Sequence, residues 1–355
     1  MTLLEGFKLI RENNNVVFLS PDASFSPLKG YGFLFHTPIS NDEDKKDSYP
    51  GNYTLPFTPS FIIDVENGHY DLEITFGSDQ FDSNTTVIAS AGQRLFHHIY
   101  VPKGQLRTMT TAIAIENKEL RLAFVGMNAA IRTIKITRND RIRTIFLAGD
   151  STVVDQASSQ FPFTGWGQFL PCFISAKYAI SNHARSGRST KSFIEEQRLA
   201  FIEKSLKAND LLVIQFGHND EKDNEGGTEP YTTFSDNLEL FIQSARKHHA
   251  IPILVSPVHR RKFDQNGYII NTHGDYIVAM KQIARKNQVP FIDLSEKSKF
   301  LFEKLGPHLS KNLFMWLEPS EFGNHPDRII DDTHFSELGA FSIAKLVAED
   351  LHKEL

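Results

Sequence analysis

The hydrophobic period of the chain changes once, at Asn139-Asp140-Arg141, and no single layered architecture satisfies both sides of that change. Before it, from about Val16 to Arg138, the period is two. Tyr70, Leu72, Ile74 and Phe76 alternate with Asp71, Glu73 and Thr75, and Leu120, Leu122 and Phe124 flank Arg121 and Ala123. Half-buried strands read this way. Further β-rich stretches fall at 32–36, 60–65, 86–89, 108–115 and 131–137, separated by turn signals such as Glu66-Asn67-Gly68. The run 41–49 mixes acidic and basic residues with no apolar period and reads as a solvated loop. Short strands at this spacing predict an antiparallel sandwich or jelly roll over residues 1–140.

After the change, strands expected at 144–148, 178–181, 211–216, 251–256 and 289–293 alternate with helices expected at 166–174, 190–206, 233–249 and 275–287. That alternation predicts an α/β domain over residues 141–355, a parallel sheet between helices. The last helix repeats Ala340, Ile343, Ala344, Val347 and Leu351 at helical spacing, with Ser336 and Glu337 placed to cap and charge its start.

With 355 residues, two domains are the default expectation. Hydrophobic residues make up 40%, 29 of them Phe, which excludes a disordered chain. A net charge of -5 offers no long-range attraction to nucleic acid or an anionic membrane. The single cysteine, Cys172, excludes an internal disulfide and a multi-cysteine metal site. The start, Met1 to Phe7, lacks the basic and long apolar regions of a signal peptide, and no run approaches a membrane span. A cytoplasmic location is expected for the chain as written, and a periplasmic or secreted one if a signal has been removed.

Four stretches carry candidate chemistry. The strand at 144–148 runs into Gly149-Asp150-Ser151, and the carboxyl ends of such strands are where open α/β sheets hold their ligands. Ser151 is then a nucleophile or merely a helix cap. Gly187 follows the second strand and Asn219 the third; each is an oxyanion donor or an ordinary turn residue. Before the last helix, Asp331-Asp332-Thr333-His334 sets a carboxylate three residues before a histidine, a spacing at which a tight turn lets both face one cleft. Its bland reading is a solvated acidic turn. The pairs His97-His98 and His248-His249 splay too widely to chelate.

In this order, the four stretches resemble the blocks of the SGNH (GDSL-type) hydrolases. The fuller set Asp150-Ser151-Thr152, Gly187-Arg188-Ser189, Gln215 to Asp220, Ser256 to Phe263, Asn271 to Tyr276 and Asp331 to Phe335 resembles the rhamnogalacturonan acetylesterase branch. The likeness covers about residues 145–351; Ser186 departs from it, where many relatives carry Gly or Ala. The front part resembles a galactose-binding-type β-sandwich, and the back a flavodoxin-like hydrolase domain. The resemblance implies Ser151 as nucleophile, His334 as general base and acid, Asp331 as its orienting residue, and an oxyanion hole from the N–H groups of Ser151 and Gly187 and the amide of Asn219. It needs no metal or cofactor. The expected partner is an acetylated pectic oligosaccharide or polysaccharide, neither nucleic acid nor membrane, and oligomeric state carries no sequence signal. Alternatives are an esterase for another acetylated glycan such as xylan, or for small acyl esters, and, from another class, a non-catalytic carbohydrate-binding protein. Arg188, Arg260 and Arg261 lie beside these blocks and are expected to meet a uronate carboxylate through bidentate contacts.

Overall fold

The computed structural model describes residues 3, 5–11, 15–34, 60–89 and 92–355; the loop expected at 41–49 and the end of the stretch expected at 32–36 lie outside them. The chain divides into two compact units, one of residues up to Ile142 with Gln156–Phe161 and Ile174–Ile180, the other of Arg143–Asp155, Pro162–Phe173 and Ser181–Leu355.

In the first unit, β1 (Phe7–Arg11), β2 (Asn15–Leu19), β3 (Tyr31–Leu34), β4 (Ser60–Asp64), β5 (Gly68–Phe76), β6 (Ser83–Ala89), β7 (Gln93–Val101), β8 (Arg107–Ile115), β9 (Glu119–Val125) and β10 (Ile131–Arg138) form two sheets, ordered β2-β1-β10-β5-β8 and β3-β4-β9-β6-β7. The alternation read in β5 is realised, since Tyr70, Leu72, Ile74 and Phe76 are buried. They join Phe7, Phe33, Phe61 and Phe124 in one core between the sheets, where the Phe7 and Phe61 rings meet edge to face at 5.1 Å. Cutting Phe61 to Ala in so closed a site would cost roughly 3–5 kcal/mol. One pairing departs from the antiparallel expectation, because β1 runs parallel to β10. No hairpin joins strands so distant in sequence, so nothing forces them antiparallel.

The second sheet system comprises β11 (Arg143–Gly149), β12 (Tyr178–Asn182), β13 (Leu211–Gln215), β14 (Ile251–Val255) and β15 (Phe291–Ile292), in the order β12-β11-β13-β14-β15. Its pairings β11–β13, β13–β14 and β14–β15 are parallel. β13 is buried at every residue, as expected of a parallel strand covered on both faces. Phe146, Ala148, Leu212, Ile214 and Leu254 share a core with residues of α3 (Ser235–Lys247) and α4 (Tyr276–Asn287), while the alternate residues Ile145, Leu147, Val213 and Ile253 are buried on the opposite face. α6 (Glu337–Leu351) starts where Ser336 accepts from the Gly339 N–H, and buries Ala340, Ile343, Ala344, Val347 and Leu351.

Several expected elements are corrected. The helix expected at 190–206 is two short ones, α1 (Thr190–Glu195) and α2 (Arg198–Glu203), parted by Gln197 at φ 60°. The stretch expected as a helix at 166–174 is a 3-10 segment, Trp166–Cys172, containing Pro171, which cannot donate to a helical ladder. In the first unit β1 and β7 were not among the expected stretches, and three elements of the second unit were not foreseen. They are α5 (Leu294–Leu309), kinked at Gly306-Pro307, and the antiparallel pair β16 (Phe314–Leu317) and β17 (Ile329–Phe335).

Candidate active site

The strand order reverses between β11 and β13, and the crevice at their carboxyl ends is where a doubly wound sheet receives ligands. Gly149, the last residue of β11, pairs with Gln215, the last of β13. Beyond Gly149 the chain turns without starting a helix, which removes the capping reading of Ser151. The turn is clamped from beneath. Asp150 accepts from the Thr152 N–H at 2.9 Å and hydroxyl at 2.8 Å. The same hydroxyl accepts from Gln215 Nε2, and Gln215 Oε1 accepts from the indole of Trp166, both at 2.8 Å. His218 Nδ1 lies 3.3 Å from Asp150 Oδ2. Burial by itself would raise the Asp150 carboxyl, but the facing His218 and the Thr152 donors outweigh it and hold Asp150 below its ordinary range. Burial lowers His218, against the pull of Asp150. Ser151, 8% exposed, is therefore held on a turn fixed by buried hydrogen bonds.

β17 delivers the other partners. The sequence placed Asp331 to His334 on a loop, whereas they lie in a strand whose register with β16 slips between Phe314 and Trp316. Asp331 Oδ1 accepts the N–H groups of Thr333 at 2.7 Å and His334 at 2.9 Å, making a local turn inside the strand. That turn brings Asp331 Oδ2 to 2.7 Å from His334 Nδ1, and His334 Nε2 to 2.9 Å from Ser151 Oγ. Burial raises the Asp331 carboxyl, but its hydrogen bonds from His334 and Thr333 and the His334 charge outweigh this, so its pKa is lowered. An ionised carboxylate only accepts, so Nδ1 carries the proton and Nε2 is left to accept from the serine hydroxyl. Phe163 sets its ring edgewise on the imidazole at 4.8 Å.

The loops after β12 and β13 are stitched to this turn. The Arg185 N–H donates to Gly149 O at 3.0 Å, and Asn219 Nδ2 donates to Arg188 O at 3.0 Å. Gly187 sits at φ +79°, and a Cβ there would meet nothing within 4 Å, so glycine supplies conformation at this point rather than space. Asp220, completely buried, ties the two loops together by accepting from the N–H of Thr190 at 3.0 Å and its hydroxyl at 2.5 Å. Desolvation pushes its carboxyl up to about 7 against those bonds.

The three arginines each meet partners within the protein. Arg261 is buried, donating to Asp332 Oδ1 at 2.6 Å, to Pro307 O at 2.5 Å and to Ser310 Oγ at 3.2 Å, with its guanidinium 4.8 Å from the Trp316 ring. Its N–H also donates to Asp332 O at 2.8 Å. Arg261 thus anchors β17 from within. Arg260 is paired with Glu221 at 2.5 Å and bonded to Thr272, and Arg188 lies 2.7 Å from Glu196. Each of the three guanidiniums thus faces a carboxylate of the protein itself. The sequence had cationic side chains in view without the acidic partners that the fold brings to them. Sequence reasoning also passed over the clamp formed by Thr152, Gln215 and Trp166, of which only the polar Gln215 at the end of an apolar strand gave a sign. Among the described residues, no group of three or more His, Cys, Asp or Glu is arranged to hold a metal ion, and no helix is long and apolar enough to cross a membrane.

The region that holds this arrangement is similar to known proteins. The model of the GDSL-like lipase/acylhydrolase family matches residues 147–340. Rhamnogalacturonan acetylesterase RhgT of Bacillus subtilis (strain 168) is 49% identical over 209 residues, covering 59% of this chain and 89% of the relative. The probable rhamnogalacturonan acetylesterase YesY of the same organism is 42% identical over 213 residues, covering 59% of this chain and 93% of its own. The crystal structure of YxiM from Bacillus subtilis matches with a TM-score of 0.54 at 22% identity over 99% of both chains, a likeness of fold that takes in the β-rich front part.

Proposed function

The chain belongs to the GDSL-like lipase/acylhydrolase family and is an ester hydrolase, and on that premise we propose that it is a carbohydrate O-acetylesterase that removes acetyl groups from rhamnogalacturonan through a seryl-enzyme. One observation carries the mechanism, the relay from Ser151 Oγ to His334 Nε2 at 2.9 Å and from His334 Nδ1 to Asp331 Oδ2 at 2.7 Å. The support for the sugar is the naming of both relatives.

In this reading His334 Nε2 takes the hydroxyl proton as Ser151 Oγ bonds to the acetyl carbonyl carbon, and Asp331 stabilises the imidazolium that forms. The carbonyl oxygen becomes an oxyanion, held by the N–H groups of Ser151 and Gly187 and by Asn219 Nδ2. Neutral donors that do not reorganise during reaction are typically worth about 3–4 kcal/mol each. When the carbonyl reforms, the sugar oxygen leaves with the proton from His334. Water then enters by the reverse path, His334 again taking and returning the proton, and acetate departs. All of these residues fall within 141–355.

Ser151→Ala removes one small polar atom and should lower kcat/KM for an aryl acetate by roughly 10⁴-fold or more, with thermal unfolding unchanged. Turnover near wild type would overturn the seryl mechanism. Acetate release from acetylated rhamnogalacturonan, xylan and chitooligomers tests the sugar, and equal rates on all three would sink the pectic assignment.

A further inference from the structure

We propose that Lys222 is a positioning residue for the reaction, which fixes and polarises the Asn219 amide; the inference rests on Asn219 belonging to the oxyanion hole. Its ammonium donates to Asn219 Oδ1 at 2.7 Å. Oxygen and nitrogen of an amide have nearly the same shape, so neighbours decide which way the group points. Both neighbours here are unambiguous. An ammonium has only donors and the Arg188 carbonyl only accepts, so the oxygen faces Lys222 and the NH₂ faces Arg188 O at 3.0 Å. The second N–H of Nδ2 has no partner among the described residues, which leaves it for a substrate oxygen. Without Lys222 nothing charged enforces this orientation.

The contact also acts on the strength of the donor. A cation on the amide oxygen draws electron density from the nitrogen and makes its N–H more acidic, the cooperative effect that chained hydrogen bonds show in a low dielectric. Oxyanion charge develops on the far side of the same amide, so the benefit grows towards the transition state.

Although Lys222 is an exposed residue, its backbone is held. The Asn224 N–H donates to Lys222 O at 2.9 Å, Gly227 passes so near that a Cβ there would lie 2.1 Å from the same oxygen, and the Thr228 N–H closes the loop on Asp220 O at 2.8 Å.

A double-mutant cycle on a neutral aryl acetate tests the proposal, since a neutral substrate removes any direct ion pairing. Lys222→Met should lower kcat roughly tenfold with KM nearly unchanged. Asn219→Ala should lower kcat by roughly 10²-fold. In the Asn219→Ala background, Lys222→Met should cost little more, because the amide it acts on is gone. The same tenfold loss in both backgrounds, or no loss in either, would overturn the role of Lys222. Full kcat in Asn219→Ala alone would instead remove Asn219 from the oxyanion hole, and the two failures are thereby told apart.

Discussion

The loop after β13 and the strand β17 each place an aspartate at the site, and each aspartate accepts hydrogen bonds on one oxygen from nearby chain: Asp220 from the N–H and hydroxyl of Thr190, Asp331 from the N–H groups of Thr333 and His334. Their protonation goes opposite ways. Asp331 is lowered and Asp220 is pushed up to about 7. The difference lies in the other oxygen. Asp331 Oδ2 meets the imidazole of His334, a partner able to carry a positive charge, whereas among the described residues Asp220 Oδ2 is buried with no hydrogen-bond partner and the donors on Asp220, from Thr190 and Thr228, are neutral. Bond number alone does not decide the charge of a carboxylate; access to water and a titratable partner do. The first aspartate joins two loops and the second orients the His334 imidazole, and each placement suits the protonation its surroundings favour.

Asp331→Asn cuts deepest into this contrast. The amide keeps the shape but offers Nδ1 a donor or a neutral acceptor, so the imidazole loses the tautomer and the charge stabilisation that the relay requires. A fall in kcat of about 10⁴-fold on an aryl acetate, with unfolding temperature nearly unchanged, is expected. A variant within tenfold of wild type would mean that Asp331 is only a strand bond.

Arg261→Ala tests how β17 is held. The guanidinium is buried and bonded to Asp332, Pro307 and Ser310, while the side chain of Asp332 is 42% exposed. Losing a buried ion pair outright costs roughly 3–5 kcal/mol, and partial hydration of Asp332 brings the expected loss to about 2–3 kcal/mol. Urea unfolding measures it. Since β17 carries both Asp331 and His334, kcat should fall more than KM. Unchanged stability with a salt-sensitive rise in KM on acetylated rhamnogalacturonan alone would return Arg261 to substrate binding.

How far such behaviour is readable beforehand differs between the two regions. The loops after β11, β12 and β13 follow strongly apolar strands, and their Gly, Asn and Ser stand where the pattern stops, so Ser151, Gly187 and Asn219 were all visible in the sequence. β17 was not visible as a strand, because Asp331, Asp332 and His334 replace its apolar alternation with the residues of the site. α5 escaped for a related reason, since small polar Ser295 and Ser298 lie on its buried face beside Leu294 and Phe302. Pairing was least legible of all. Glu221 stands 39 residues before its partner Arg260, and Asp332 stands 71 after Arg261, distances that only tertiary structure closes.

Asp220→Asn makes the smallest change and addresses the contrast directly. With its folded pKa near 7 and an unfolded value of about 3.9, Asp220 is protonated in both states at low pH, where its folded-state preference for the proton is fully satisfied. As pH rises through about 4 the unfolded chain ionises first, and stability drains away until the folded group also ionises near pH 7; above that the penalty is constant. An Asn keeps the oxygen that accepts from Thr190 and never ionises. The stability of Asp220→Asn relative to wild type should therefore improve by about 2 kcal/mol between pH 5 and pH 8, taking 1.36 kcal/mol per unit and discounting for the coarseness of the shift. Comparing variant with wild type at each pH cancels the other titrating groups, Asp331 among them, whose lowered pKa acts in the reverse sense by losing stability as pH falls. Denaturant unfolding at both pH values supplies the measurement. A difference that does not change with pH would show that Asp220 is ionised throughout, and that its neutral donors suffice for a buried carboxylate after all.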